Sequence, residues 1–279
     1  MNLSEIYDYY LQSMQIEKVR DPERLFVTDV GSCTRRVALR MKGAARTPVS
    51  KENRAMWDLA EYIEETLMKA LDCKGLLCEY QAPINIIDRD NWGGRLDIVR
   101  YVSETDKRTQ IVEVKTERSN ALARKADGTL SKPHPKPNHV MQATIYDHYY
   151  DYEGEHLDPV LWYAARGGSN PSLECDVTPE WEPIVALMDE LEAVRKALPE
   201  LPPMLPKQPK LTSYDKVLKY APDYRCSYCD YRGVSCFPDM SEPAWATDGP
   251  NFRFTAKADK EVIAEWALAE AKDALLAAL

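Results

Sequence analysis

The feature that most constrains how this chain folds is the placement of four cysteines. Cys33 stands alone near the start, while Cys226, Cys229 and Cys236 crowd together near the other end as C-x2-C-x6-C. Two thiolates three residues apart reach a single metal, and Cys236 adds a third ligand. No cysteine or histidine follows downstream, so a fourth ligand comes from Cys33 or the site stays open. A chain tied in this way has its distant segments packed at one place. The spacing alone permits a zinc knuckle or an iron-sulfur cluster. The other three cysteines, Cys73, Cys78 and Cys175, lie in apolar or strand-like surroundings and read as buried free thiols.

A chain of 279 residues buries one large core or two small ones, and 44% apolar with 29% charged residues describes a globular protein. No apolar run reaches the length of a membrane span. The first residues, Met1-Asn2-Leu3-Ser4-Glu5-Ile6, carry an acid instead of a basic-then-apolar signal. The expectation is a cytoplasmic protein (in the host cytoplasm, for a viral one), where cysteines serve as metal ligands or free thiols rather than disulfides. A net charge of -9 argues against a general nucleic-acid binder. It suits clustered carboxylates holding a cation. One local stretch is basic: Lys115, Arg118, Arg124, Lys125, Lys132 and Lys136 outweigh Glu117 and Asp127. It reads either as a mobile solvated loop or as a DNA track.

Periodicity sets the order of elements. Residues 3 to 18 and 51 to 72 read as helices, the second with Met56, Leu59, Ile63, Leu67 and Leu71 on one face. Ser32 or Thr34 is expected to cap a short helix carrying Arg35, Arg36 and Leu39. Leu77 to Ile87 alternates like a strand. Gly93 to Val102 is a second, and Gln110 to Lys115 a third, antiparallel to the second across the polar turn Glu104–Arg108. Residues 138 to 152 return to helix, Pro159 to Ala165 form a strand, and 179 to 198 a helix. Pro199 to Pro209 reads as a linker. Residues 257 to 279 form a helix whose Val262, Ile263, Trp266 and Leu275 pack on the domain, or alternatively on a partner. The order implies an α/β fold: a mixed β-sheet flanked by helices, with helical N-terminal and C-terminal segments joined at a metal cluster. Four segments are expected: a helical 1–50 with the first cysteine, a core at 51–200, the cysteine segment at 201–240, and a helical extension at 241–279.

Asp97 and Glu113 fall on adjacent strands, and Glu113 and Lys115, two apart, share a face. Burying two carboxylates beside a lysine is costly unless a cation joins them. Oxygen ligands of this kind suit Mg²⁺ or Mn²⁺, which polarises a phosphodiester and acidifies bound water. A Glu-x-Lys pair alone is common on outer strands. Here Ile98, Val99, Ile111, Val112 and Val114 make both strands apolar, which implies a half-buried hairpin, and Gly93-Gly94 allows close approach of a backbone or ligand. Gln142 and Tyr146, four apart, share one helix face. His139 and His148 beside them read as core or solvent-facing histidines.

Gly94-Arg95-Leu96-Asp97, Glu113-Val114-Lys115 and Gln142-x-x-x-Tyr146 together resemble the PD-(D/E)XK nuclease superfamily in its RecB-like branch. The resemblance implies a restriction-endonuclease-like core. Its preceding helix adds an acidic metal ligand. Glu64 matches by placement in Ala60-Glu61-Tyr62-Ile63-Glu64, with Glu61 and Glu65 as alternatives. Asp97, Glu113 and Glu64 would then hold Mg²⁺ or Mn²⁺, with the Val114 carbonyl as a further ligand. Lys115 would assist the water, and Gln142 and Tyr146 would position DNA. A lone cysteine before this core and three after it is similar to the iron-sulfur subgroup, which includes the CRISPR-associated adaptation nuclease and AddB-type subunits. Cys33-Thr34-Arg35-Arg36 resembles its N-terminal Cys-x-Arg region. The resemblance spans about residues 25 to 240 and implies a structural [4Fe-4S] cluster on Cys33, Cys226, Cys229 and Cys236, with Zn²⁺ as the alternative.

The function so implied is a metal-dependent deoxyribonuclease, an exonuclease on DNA ends or single strands, in recombination, repair, or phage or CRISPR DNA processing with partner proteins. The alternative is a non-catalytic DNA-binding or adaptor protein on the same scaffold. No G-x-x-x-x-G-K-[ST] motif is present, so any helicase motor belongs to another chain.

Overall fold

Two clusters of alternating apolar residues decide where the sheets form. The computed structural model describes residues 21–46, 49–123, 130, 134–166, 172–202, 208–211, 218–221, 229–231, 235–236, 246–248 and 251–255. In chain order the elements are β1 (Leu25–Phe26), α1 (Thr34–Met41), α2 (Lys51–Cys73), β2 (Leu77–Tyr80), β3 (Pro83–Ile84), β4 (Trp92–Arg95) and β5 (Ile98–Tyr101). There follow β6 (Thr109–Arg118), α3 (Pro137–Tyr149), β7 (His156–Arg166), β8 (Ser172–Asp176) and α4 (Glu182–Ala197). The last strands are β9 (Gln208–Leu211), β10 (Leu218–Ala221), β11 (Ala246–Asp248) and β12 (Asn251–Thr255).

The main sheet has five strands in the order β2-β5-β6-β7-β8. β6 is antiparallel to β5, as expected, and parallel to β7. A parallel pair needs a crossover, and α3 supplies it. β6 is buried on both faces through Gln110–Val114, as a central strand between two layers must be. Val112 and Val114 join Ile98, Val160 and Leu71 of α2 in one cluster. Ile111 on the opposite face packs with Ile145 and Tyr146 of α3. The protein is therefore of the expected α/β class, a mixed sheet flanked by helices. β8 has no counterpart in the sequence reading; its Ser-Leu-Glu-Cys-Asp composition hides a strand that pairs along only one edge.

Two single strands expected from the sequence are each broken in two. The 77–87 run divides at Gln81 and the 93–102 run at Leu96-Asp97. β3 and β4 join β1 in a separate three-stranded sheet, while β2 and β5 stay in the main one. The breaks face each other: Gln81 N–H donates to the Asp97 carbonyl at 2.8 Å, and Leu96 N–H to the Ala82 carbonyl at 3.0 Å. Alternation reads through such a junction because apolar periodicity reports burial, not which sheet a strand pairs in.

α2 starts where Ser50 Oγ accepts the Asn53 N–H at 3.2 Å. Of its expected stripe, only Leu71 is buried, and Leu59 remains 41% exposed. The last turns pack on the sheet through Leu67, Met68 and Leu71; the first turns find no such surface among the described residues. α4 seats Ile184, Met188 and Leu191 against the small sheet's side of the core. It is pinned there by Trp92 Nε1 donating to Glu192 Oε1 at 2.6 Å and by the Arg89–Asp189 ion pair at 2.8 Å. No described helix is long and apolar enough to cross a membrane.

The residue that begins α1 is Cys33, not Ser32 or Thr34, and it makes no side-chain capping bond. Ser32 Oγ is drawn off to the Asp29 carbonyl at 2.6 Å. Buried Arg40 ties the segment together, donating to Asp29 Oδ2 at 2.6 Å and to the Arg24 carbonyl at 2.9 Å. The expected helices at 3–18 and 257–279 lie outside the described residues, as do residues 203–207 of the Pro199–Pro209 linker. Within 241–279, expected to be helical, β11 and β12 are strands, and β12 pairs with β10.

Candidate active site

The junction between the two sheets is where the charged residues gather. Asp97 sits just before β5, outside the ladder, and turns its carboxylate onto β6: Oδ2 accepts the Val114 N–H at 2.8 Å. Because Ile98 pairs with Val112, the position of Asp97 lies opposite Glu113. Glu113 is completely buried. Lys115, two residues along on the same face, donates its ammonium to Glu113 Oε1. Glu113 Oε2 is buried and receives no hydrogen bond from a described donor; the group set against it is the Asp97 carboxyl.

This packing is electrostatically strained. Burial, and then the charge of Glu113, push the Asp97 carboxyl up to about 8. Glu113 is likewise raised, mainly by burial, although Lys115 opposes the shift. Burial alone would pull Lys115 down, but Glu113 and Asp97 together lift it above its usual value. Lys115 is therefore a cation held among carboxylates that outnumber it. Such a group is stabilised by a further positive charge.

Glu64, half-buried on α2, is the third carboxylate. Burial raises its pKa, and the next cause is the charge of Asp97. Gln81 holds it: Nε2 donates to Glu64 Oε1 at 3.1 Å and to the Tyr80 hydroxyl at 3.1 Å. Gln81 has φ +52°, a conformation costing a non-glycine residue about 1–3 kcal/mol. The sequence reading missed it. A glycine would signal such a turn; a glutamine is kept there for its amide, which nothing in the pattern announces.

Gln142 and Tyr146 do meet on α3, with Gln142 Nε2 donating to the Tyr146 hydroxyl at 3.1 Å. Tyr146 is buried. Burial, and then Glu113, raise its pKa, so it stays a neutral phenol beside the carboxylates. Its ring explains Gly94: a Cβ there would stand 2.9 Å from Tyr146 Cε1 and 2.8 Å from Val27 Cγ2. At Gly93 the space is taken by the Arg24 guanidinium. The glycine pair thus accommodates the protein's own side chains, where the sequence left open a ligand.

His139 is half-buried, its Nδ1 3.0 Å from the Tyr163 hydroxyl. Burial, then Lys115 and Lys136, lower it to about 3, so it is neutral. His148 is exposed and stacks on Trp181 at 3.8 Å. Of the basic stretch, Lys115 is engaged by Glu113 and Lys136 by Glu117; Arg124, Lys125 and Lys132 lie outside the described residues.

At the other candidate centre, Cys33 and Cys236 lie in the neighbourhood of Cys229. The Cys229 thiol is pushed up by burial and also feels Cys236 and Cys33. Cys226 lies outside the described residues. Cys236 packs with Leu39 of α1 and Tyr231, and Cys229 borders them. Arg36 pairs with Asp230 at 3.4 Å, and Ser235 Oγ donates to the Ala45 carbonyl at 2.7 Å. The early and late segments therefore meet. Among the described residues, no three His, Cys, Asp or Glu side chains converge in a metal-holding arrangement.

Fold and site together define an α/β protein with a carboxylate–lysine cluster, built round the buried Glu113, at the junction of two sheets. No protein-family model matches the sequence, and no curated protein does. Among solved structures it is similar to the crystal structure of SSO0001, with 18% identity over 82% of this chain and 93% of that one, at a TM-score of 0.48. It is also similar to an alkaline exonuclease (LHK-Exo) from Laribacter hongkongensis, with 11% identity over 68% of this chain and 95% of that one, at a TM-score of 0.39. Similarity at this level does not assign chemistry.

Proposed function

We propose that this protein is a divalent-metal-dependent DNA nuclease, acting as an exonuclease on ends or single strands. One observation carries the proposal: Asp97 and Lys115, both half-buried, close on the fully buried Glu113, with Glu64 beside them and Glu113 Oε2 without a hydrogen-bond donor among the described residues. The donor set is all oxygen, with three carboxyl groups to one paired lysine, which fits Mg²⁺ or Mn²⁺. Glu64, Asp97 and Glu113 would hold the ion, with the Val114 carbonyl as a further ligand.

A bound divalent ion supplies Lewis acidity toward a phosphodiester and a more acidic water. The chain supplies the rest. Asp97 is fixed by the Val114 N–H, and Glu64 by Gln81, so the carboxylates are ordered before substrate arrives. Lys115, kept protonated by its neighbours, donates hydrogen bonds to a water or to a phosphate oxygen and offsets charge that develops there. Gln142, anchored on the Tyr146 hydroxyl, presents its remaining amide groups at the site's edge and orients the strand.

The cysteine junction is assigned a [4Fe-4S] cluster on Cys33, Cys226, Cys229 and Cys236, with Zn²⁺ as the alternative. Its role is structural, cross-linking segments that already pack together.

The test is cleavage of single- and double-stranded DNA with Mn²⁺. Wild type is expected to cut, and Glu113→Ala and Lys115→Ala to lose about 10²–10³-fold or more in rate while melting as cooperatively as wild type. A wild type that binds DNA but never cuts it, or a Lys115→Ala protein that cuts normally, rejects the assignment.

A further inference from the structure

The first turns of α2 expose large apolar side chains that its last turns would bury: Trp57 is 52% exposed and Tyr62 65%. Trp57 stands apart because of what shares its face. It precedes Glu64 by seven residues, two helical turns, so both side chains lie on one side of α2. They are separated by about 10 Å along the axis. One end of this face carries a carboxylate of the site; the other carries an open indole. Arg95 is also exposed, and its charge is felt at Glu64. An open indole two turns along α2 and an exposed cation therefore both neighbour the Glu64 side of the carboxylate cluster.

Building on the nuclease proposal, we infer that Trp57 is a stacking platform for a nucleobase of the strand entering the site, with Arg95 against the adjoining phosphate. The charge balance favours this occupant. At net -9 the protein gains little from general attraction to phosphates. Stacking on an indole is independent of charge, and every base presents a face to it. It would hold a single strand near the carboxylates without a continuous basic groove. Paired bases are stacked on their neighbours already, so the same indole gives no such grip on a duplex interior. Trp57 would thus be a positioning and specificity residue for unpaired DNA.

The experiment measures affinity for a short labelled single-stranded oligonucleotide, with Ca²⁺ replacing Mn²⁺ to hold off cleavage. Trp57→Ala and Trp57→Phe are compared with wild type, on the intact strand, on strands carrying one abasic position, and on a blunt duplex. Trp57→Ala is expected to weaken single-strand binding by roughly 5- to 100-fold, and Trp57→Phe to keep most of it. Wild type should lose affinity at one particular abasic position, and Trp57→Ala should be indifferent there. Unchanged binding by Trp57→Ala overturns the inference. So does an equal loss on intact strand, abasic strand and duplex, because that marks a structural role. A wild type that neither binds nor cuts DNA removes the nuclease proposal and this inference together; a wild type that cuts, with a Trp57→Ala protein that binds normally, removes only this one.

Discussion

The carboxylate cluster and the cysteine junction are both candidate metal centres, yet they are built in opposite ways. At the carboxylates, the protein's own contacts work against the charged forms: Asp97 is driven up to about 8, and Glu113 Oε2 lacks a hydrogen-bond donor among the described residues. At the cysteines, apolar packing has already closed the gap: Leu39, Tyr231 and Cys236 are buried against one another, and ordinary polar bonds from Arg36 and Ser235 cross the seam. A cation at the first place relieves strain and supplies chemistry. At the second it reinforces a contact that packing makes by itself. The difference separates function from stability, and each centre can be disturbed without the other.

The largest effect is expected at Lys115. Lys115→Ala removes the cation paired with Glu113, so cleavage should fall by the orders of magnitude given above while iron content stays at the wild-type level. Equal loss of iron would join the two centres and break the contrast. Next comes Gln81→Gly. Glycine accepts φ +52° freely and relieves backbone strain, but it deletes the bond that fixes Glu64. The gain and the lost side-chain bonds nearly cancel in stability, so Tm should stay within a few degrees. Metal affinity or cleavage should drop about 10- to 100-fold, as for other residues that orient ligands. A large fall in Tm with cleavage intact would mean that Gln81 serves the fold alone. The smallest effect on chemistry is expected at Cys33→Ser. Anaerobically purified wild type should be brown and contain iron; the variant should lose iron and melt earlier, yet whatever remains folded should still cut DNA. A colourless wild type carrying one zinc keeps the cross-link and discards the cluster.

Much of this layout was legible before any coordinates. β6 announces itself because both of its faces are buried, and the Glu113–Lys115 spacing then places two charges where alternation demands a core. The missing local ligand pointed to Cys33, and the structure does bring the segment of Cys33 against that of Cys229 and Cys236. What stayed hidden depends on where strands end up, not on their local pattern. The breaks at Gln81 and Leu96-Asp97 lie inside uninterrupted apolar alternation, so nothing local marks a change of sheet. The stripe on α2 is well formed, but how much of it meets the sheet depends on how far the helix overruns its partner. Gly94 looked like room for a ligand because a sequence shows a missing side chain without showing that Val27 and Tyr146 fill the space.

The central claim is that the buried carboxylates form a site for a divalent cation, and thermal unfolding across pH with and without Mn²⁺ tests it most directly. Asp97 has its folded pKa raised from 3.8 to about 8, so the metal-free folded state binds that proton more tightly than the unfolded chain does. The resulting stabilisation is fully present below about pH 4 and is lost as pH climbs through about 8. Mn²⁺ replaces the proton. It should therefore raise Tm most at the upper end of that window and little at the lower end, and Glu113→Gln should abolish most of the Mn²⁺ effect. A Tm indifferent to Mn²⁺ at pH 8, or raised equally in Glu113→Gln, would contradict it.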